Sequence, residues 1–300
     1  TKFLYMSTAE VAANLVRLLE ARDYRVLHAL EKALDYFEQV KAEYIEKVTG
    51  LHEDEVAYRL GRLREMGLIA KGESGYYLVS SGLDAIALNA LVQRGFISSF
   101  GGNVGVGKEA DVFDVLDDRG RMYVLKFYRI GRTSFRNVRR KRRIMLDKES
   151  SVWLKACINA AKREAWALSK VYSVCGMVPK FFARERHAVL MEKIEGTMLN
   201  KVNFLESPLR GLKDIFFTLK KAYIKASIVN GDLSEFNILY DGERYYVIDW
   251  PQAVDANSPN SLSLLSRDIS NILKFFRKKF NVDYPFEKAY RFVTVPYSRF

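Results

Sequence analysis

The chain has 300 residues, of which 49% are apolar, and a formal net charge of +12. That length and apolar content suffice for two buried cores, and the positive excess points to an anionic partner. No apolar run of roughly eighteen residues and no signal-peptide pattern occurs, so the chain is read as cytoplasmic, with no membrane span.

The excess charge is uneven. Residues 1–80 carry 11 Lys or Arg against 13 Asp or Glu, whereas 129-RIGRTSFRNVRRKRR-143 carries eight basic residues in fifteen and no acid. The two cysteines, Cys157 and Cys175, have no metal-type spacing and read as small buried hydrophobes in a reducing compartment.

In chain order, Ser7 and Glu10 fit a capping box that opens a first helix. Val11, Leu15, Leu18 and Leu19 are predicted on its inner face. Leu27, Leu30 and Leu34 repeat the pattern in a second helix. A third covers about 41–48 and stops at Gly50. A fourth covers about 54–66, with Val56, Leu60 and Leu63 inward. The segments 68-LIAK-71 and 76-YYLVS-80 then pair as a hairpin. Helices followed by a small hairpin make a winged helix, and a linker helix over about 83–93 completes a first domain, 1–93.

From Phe96 the period changes to strand, glycine turn, strand, Asp-Asp-Arg-Gly turn, strand. A long helix is predicted over about 155–174 and a buried strand at 187-HAVLME-192. These elements define a second domain, 94–194, with the basic segment 129–150 as a flexible loop. An amphipathic helix over 211–227 and a last helix over about 264–280 fall in a third, 195–300. After Asp249 only one helix is expected, and no Ala-Pro-Glu motif occurs, so a peptide-holding platform is expected to be missing.

The chemistry is carried by 229-VNGDLSEFNILY-240 and 247-VIDWPQ-252. Asp232-Leu233-x-x-x-Asn237 fits the catalytic-loop pattern of protein kinases, and Asp249 follows a strand as a metal-binding aspartate does. Mg2+ is a hard ion that takes carboxylate and amide oxygen, which Asp249 and Asn237 supply. Upstream, 105-GVGKEADV-112 matches a glycine-rich phosphate loop except for Ala110 at the third glycine position. Lys126, in 124-VLK-126, stands where a phosphate-binding lysine belongs, and Glu164 is its candidate partner. Each element alone is weak; the ordered set is specific.

That order is carried by 105-GVGKEADVF-113, 131-GRTSFRNVRRKR-142, 187-HAVLMEKIEG-196, 229-VNGDLSEFN-237, 247-VIDWPQAV-254 and Arg267-Asp268. With these motifs the chain resembles the RIO family of atypical protein kinases, in its type-two subfamily and in an archaeal-type form. The resemblance spans essentially the whole chain. It implies an α+β fold, an N-terminal winged helix followed by a bilobal, truncated protein-kinase-like domain. It also implies an ATP- and Mg2+-dependent serine/threonine kinase or ATPase, with Mn2+ as an alternative metal. The implied partners are a small ribosomal subunit precursor, ribosomal RNA or ribosomal proteins.

Residue by residue, the resemblance implies Asp232 as base or positioner and Asn237 and Asp249 as metal ligands. Asp249 is also a candidate phosphate acceptor. Lys126 would hold phosphate, braced by Glu164, with Gly105, Gly107, Lys108 and Glu109 in the phosphate loop. Glu192 and Ile194 would meet adenine through backbone groups, with Met191 as gatekeeper. Val112, Val124, Leu239 and Ile248 would sandwich the base. Ser134 is a candidate autophosphorylation site. Asn230 replaces the family's His and is expected to brace the catalytic loop.

Two other readings compete. A small-molecule kinase of the aminoglycoside or choline type shares the Asp-x-x-x-x-Asn and the later Asp, but the winged helix and basic segment argue against it. A winged-helix DNA regulator would use Arg59, Arg62 and Arg64. Its helix opens with Glu53, Asp54 and Glu55, which would repel phosphate, so specific duplex DNA is not expected as a partner.

Overall fold

A computed structural model of the chain describes residues 6–106, 109–131, 151–297 and 300. The chain divides into two compact units, residues 1–161 with 183–189 and residues 162–182 with 190–300.

The first unit opens with α1 (Thr8–Leu15), capped reciprocally by Ser7 and Glu10 as the spacing predicts. The helix is shorter than the apolar spacing implies. Val16–Leu18 tighten into a 3-10 turn, which rotates Leu18 out to solvent. Ala9, Ala12 and Leu15 form the inner face instead. Then follow α2 (Ala21–Ala33), α3 (Ala42–Thr49) and α4 (Glu53–Glu65), with Gly50 left-handed at φ 65° where α3 stops. Leu27, Leu30, Leu34, Ile45, Val56, Leu60 and Leu63 are buried among them. β1 (Ile69–Lys71) and β2 (Tyr76–Leu78) pair antiparallel with Ile69 opposite Leu78, which completes the winged-helix arrangement. α5 (Ser80–Gln93) is buried on nearly every side through its first three turns, which is why its sequence shows no polar stripe.

Two of the three arginines on α4 are engaged inside this domain. Arg59 is buried and pairs with Glu20 at 2.8 Å, Asp23 at 3.2 Å and Glu55 at 2.8 Å. Arg62 Nε lies 3.4 Å from the other Asp23 oxygen. Arg64 is exposed.

A five-stranded sheet has the order β3 (Ser99–Val106), β4 (Ala110–Leu116), β5 (Met122–Tyr128), β7 (Ala188–Glu192), β6 (Phe181–Glu185). The turn after β4 is held by Asp117, whose carboxylate accepts the N–H groups of Arg119 and Arg121 at 3.0 and 2.9 Å. Strand β6 was not expected. Its five residues, FFARE, show too little alternation to stand out, and it is pairing with β7 that makes them a strand. α6 (Ser151–Cys175) starts before the expected boundary and, like β6 and β7, runs from one unit into the other.

The second unit contains β8 (Thr197–Met198), α7 (Pro208–Lys221), β9 (Ile228–Val229), β10 (Ile238–Tyr240), β11 (Tyr245–Val247), β12 (Val254–Asp255), α8 (Ser261–Phe280) and α9 (Phe286–Thr294). Its strands form two small sheets, β11-β10-β8 and β12-β9. α9 corrects the expectation that a single helix follows Asp249. It buries Ala289, Phe292 and Val293, too few anchors in nine residues for its period to be read with certainty. No helix among the described residues is long and apolar enough to cross a membrane.

Arg129 is a second correction. The charge run assigned it to a flexible basic loop, but it is 2% exposed and ion-paired. Ser134 and residues 132–150 of that segment lie outside the described residues.

The Asp23 network yields a stability prediction. Removing one partner of a buried ion pair typically costs about 3–5 kcal/mol. Asp23→Ala is expected near the lower end, about 3 kcal/mol, because Arg59 keeps Glu20 and Glu55. Urea unfolding of the full chain measures this, and an unchanged midpoint would show that the network contributes no stability.

Candidate functional site

The Asp232 and Asp249 segments begin and end at one place. β9 and β12 pair antiparallel, Val229 opposite Val254, so residues 230–253 form a loop closed at its neck. Within it β10 and β11 make a hairpin with Ile238 opposite Val247. This brings the residues after β9 and the residues after β11 side by side.

Asn230 links the two segments. It is 1% exposed, its Nδ2 donates to the Asp249 carbonyl at 2.7 Å, and its Oδ1 accepts the Asp232 N–H at 3.1 Å. An amide has both a donor and an acceptor, so one side chain fixes both aspartates. This is the bracing role expected where the family has His.

The catalytic loop is then fixed from α8. The Asp268 carboxylate accepts the Gly231 N–H at 2.8 Å and the Leu233 N–H at 3.0 Å. Arg267 donates to the Gly231 carbonyl, and Asn271 Nδ2 to the Leu233 carbonyl at 3.1 Å. Gly231 has φ 81°, and a Cβ there would come 2.8 Å from the Gln252 carbonyl oxygen. Both facts require glycine at this turn.

Asn237 donates from Nδ2 to the Asp232 carbonyl at 2.8 Å, and its own carbonyl accepts the Ile248 N–H at 2.9 Å. Asp232 is exposed at the surface of this unit, while Asn237 and Asp249 are half-buried. Partial burial pushes the Asp232 carboxyl up from its ordinary range, Arg267 opposes this, and the Asp249 charge adds to it. Two mutually repelling carboxylates with an amide beside them form a site that a cation would relieve.

Glu164, expected beside Lys126, is fully buried and accepts the Trp250 N–H at 2.9 Å through Oε2. The Trp250 indole is itself buried and donates to the Val247 carbonyl at 3.0 Å. So Trp250 pins the turn that carries Asp249 through its ring N–H. Leu239 and Ile248 are half-buried on β10 and just after β11.

In the first unit the register sets the other residues. Gly105 lies opposite Val112, Val112 opposite Lys126, and Val124 opposite Asp114. Directly paired residues share a face, so Val112, Val124 and Lys126 lie on one side of the sheet. The two valines are half-buried, unlike the fully buried Phe113, Val115 and Leu125 of the other side. Lys126 is 8% exposed, with Nζ 4.9 Å from the centre of the Tyr128 ring. Glu109 is exposed. Gly107 and Lys108 lie outside the described residues. In the second unit, at the end of β7, Met191 is buried, and Glu192 and Ile194 are half-buried. The Glu192 carboxylate accepts the Lys180 N–H at 3.1 Å.

Asp268 is the functional residue for which the sequence suggested no role. The available signal was a carboxylate among Leu265, Ile269 and Ile272 on the buried face of α8. Burial raises its pKa to about 6, with the two backbone N–H bonds and Arg267 opposing the rise. The unfolded value is near 4. Between these values the folded state binds the proton more tightly. This group's contribution to stability is therefore full below about pH 4 and is lost as pH rises through about 6. Relative to Asp268→Asn, the wild-type chain is expected to lose about 2–3 kcal/mol of unfolding free energy over that interval. Urea titrations of both proteins from pH 4 to 7 test this, and parallel pH profiles would contradict it.

Two family models match the chain: a RIO domain over residues 111–289 and a Rio2 N-terminal domain over residues 16–94. The RIO-type serine/threonine-protein kinase Rio2 of Methanocaldococcus jannaschii is 38% identical over 259 residues, covering 84% of this chain and 95% of that protein. The serine/threonine-protein kinase RIO2 of Caenorhabditis elegans is 34% identical over 275 residues, covering 90% of this chain but 52% of its own length. Among solved structures, the Rio2 kinase–ADP/Mg2+–phosphoaspartate complex from Chaetomium thermophilum superposes with a TM-score of 0.82. Its sequence identity is 29%, and the match covers 96% of this chain and 90% of the other. With the catalytic-loop geometry and both family models in agreement, the chain belongs to the RIO kinase family, in its Rio2 type.

Proposed function

We propose that the protein is a Mg2+- and ATP-dependent serine/threonine kinase of the Rio2 type that modifies itself and turns over ATP slowly during maturation of the small ribosomal subunit. The observation that carries the catalytic part is the loop in which Asn230 and Asp268 hold the Asp232 and Asp249 segments while Asn237 bonds the Asp232 carbonyl. Phosphoryl transfer is catalysed chiefly by positioning and electrostatics, so a rigidly held set of this kind is what the reaction requires.

The residues fit the metal. Mg2+ keeps waters and substrate phosphate in its shell and needs only one or two protein oxygens. Asn237 spends its Nδ2 on the Asp232 carbonyl, so Oδ1 would be its ligand atom, with the Asp249 carboxylate as the other protein ligand. Among the described residues no cluster of three or more His, Cys, Asp or Glu could hold a metal alone. Bound Mg2+ would neutralise phosphate charge. Asp232 would orient the attacking hydroxyl and take up its proton, for which a raised pKa is useful. Lys126 is assigned the α and β phosphates, and Val112 and Val124, on its side of the sheet, one face of the adenine. Their half-burial supports that assignment over simple core packing. Asp249 is assigned a second role as phosphate acceptor, supported by the phosphoaspartate in the Chaetomium complex.

The ribosomal part rests on membership of the Rio2 type and on the positive excess. Arg59 and Arg62 are committed to internal ion pairs, which supports docking on RNA or protein over reading of duplex DNA. Co-sedimentation with small-subunit precursors, compared with mature subunits, tests this part.

Two substitutions separate the catalytic roles. Asp249→Asn should weaken binding of Mg2+-ATP and abolish turnover. Asp232→Ala should keep binding and lose roughly 10²–10⁴ in rate. Calorimetry showing wild-type Mg2+-ATP affinity in the Asp249 variant would remove it from the metal site.

A further inference from the structure

Side chains alternate along β5. Val124 and Lys126 face one side of the sheet, whereas Leu125, Phe127 and, just beyond the strand, Arg129 face the other. On that second side Arg129 sits in a buried ionic cluster. Its Nη2 lies 2.7 Å from Asp84 Oδ2 and donates to Thr8 Oγ1 at 2.8 Å, and its Nε lies 3.3 Å from Asp111 Oδ2. The other Asp84 oxygen lies 2.6 Å from His187 Nε2. All four charged or titratable residues are at most 2% exposed.

Charges this deep persist only when paired. Burial by itself would raise the Asp84 carboxyl, but Arg129 and His187 hold it below its ordinary range. Burial pushes the His187 ring down, with Asp84 opposing, and the arginine ion pairs of the cluster are Arg129 with Asp84 and with Asp111. A planar guanidinium can meet Asp84, Thr8 and Asp111 at once; a lysine ammonium could not span them in this geometry.

Arg129 also holds the chain that leaves the glycine-rich loop. Its backbone N–H donates to the Glu109 carbonyl at 2.6 Å, and its side chain meets Asp111. Asp111 is the residue that closes the loop, paired with Val106 on β3 and with Phe127 on β5. The β3 side of the loop has register shifts between Phe100 and Gly105, whereas β4 pairs with β5 without interruption. The regular anchor of the loop is therefore its β4 end, and Arg129 clamps that end by backbone and side chain. The clamp is itself held from α5 and α1, by Asp84 and Thr8.

We propose that Arg129, fixed by Asp84 of α5, is a positioning residue for the glycine-rich loop, so that the N-terminal domain sets the affinity for nucleotide phosphates. This rests on the phosphate-loop reading of residues 105–109. Arg129 lies on the face opposite Lys126 and acts through the loop.

The test uses the full chain with Asp84→Asn, Arg129→Lys and Thr8→Val. Titration of Mg2+-ATP and of adenosine is combined with steady-state ATP turnover and amide hydrogen exchange at residues 109–111 and 129. Asp84→Asn is expected to weaken Mg2+-ATP binding about tenfold, a usual size for a substitution that touches no ligand. Adenosine binding should change far less, because adenosine carries no phosphates for the loop to meet. KM for ATP should rise with kcat changed less than about threefold, and the Arg129 amide should exchange faster. Arg129→Lys should behave similarly, and Thr8→Val should shift the same readouts less. A folded Asp84→Asn protein with wild-type ATP affinity and wild-type exchange overturns the proposal, even if its melting temperature falls. Equal weakening for ATP and adenosine also overturns it, because that would be general loosening. Should Asp84→Asn fail to fold, Thr8→Val with unchanged affinity and exchange has the same force. A wild-type chain that binds adenosine but gains nothing from the phosphates of ATP would overturn the phosphate-loop reading instead, and is recognised without any variant.

Discussion

Two backbone N–H groups, those of Gly231 and Leu233, converge on one buried carboxylate, Asp268. The catalytic loop depends on this contact. A turn with a left-handed glycine and two inward-pointing amides would otherwise leave unsatisfied donors, at a cost of about 1–3 kcal/mol each. Asp268 satisfies both and, with Arg267 and Asn271, ties the loop to a twenty-residue helix. Asn230 then carries the fixed position across to the Asp249 segment. The order of attachment is helix, Asp232 loop, Asp249 turn, and each step is a hydrogen bond to backbone, which fixes the chain more firmly than a contact between side chains alone.

The protein treats buried charge in two ways. Arg129 lies between two carboxylates, so the cost of burial is offset by pairing, and Asp84 is held in its charged form. Asp268 has backbone dipoles and one arginine, which do not fully offset burial, so its pKa rises to about 6. The first arrangement favours the charged form of the carboxylate. The second leaves a catalytic-loop anchor that titrates at mildly acid pH. Positioning by backbone dipoles carries this sensitivity; positioning by a full counter-charge does not.

Much of the organisation was legible because it follows from period and local chemistry. The Ser7 cap, the inner face of α2 at Leu27 and Leu30, and the hairpin at 68–80 are short-range facts. So is the spacing of Asp232, Asn237 and Asp249, because strand–loop–strand geometry converts sequence distance directly into position. The errors arose where packing overrides period. Leu18 keeps its helical spacing, yet a 3-10 turn rotates it outward. The FFARE strand has no strong pattern and exists through pairing with β7. α9 was passed over because nine residues contain too few turns for a period to be measured.

The sequence by itself determined which chemistry the chain carries: a glycine-rich loop, a lysine strand, and an Asp, Asn and Asp in kinase order. Residue type and local spacing are enough for that. The tertiary structure decided how those groups are held. Arg129 sits at the head of the most basic run in the chain, and nothing local distinguishes it from Arg132 or Arg136. It becomes a buried clamp only because Asp84, forty-five residues earlier, is brought against it. Asp268, thirty-five to thirty-seven residues from the amides it accepts, becomes the anchor of the loop in the same way. A lone charge on an apolar face states that a partner must exist, because burying it alone costs too much. Which partner that is depends on long-range packing.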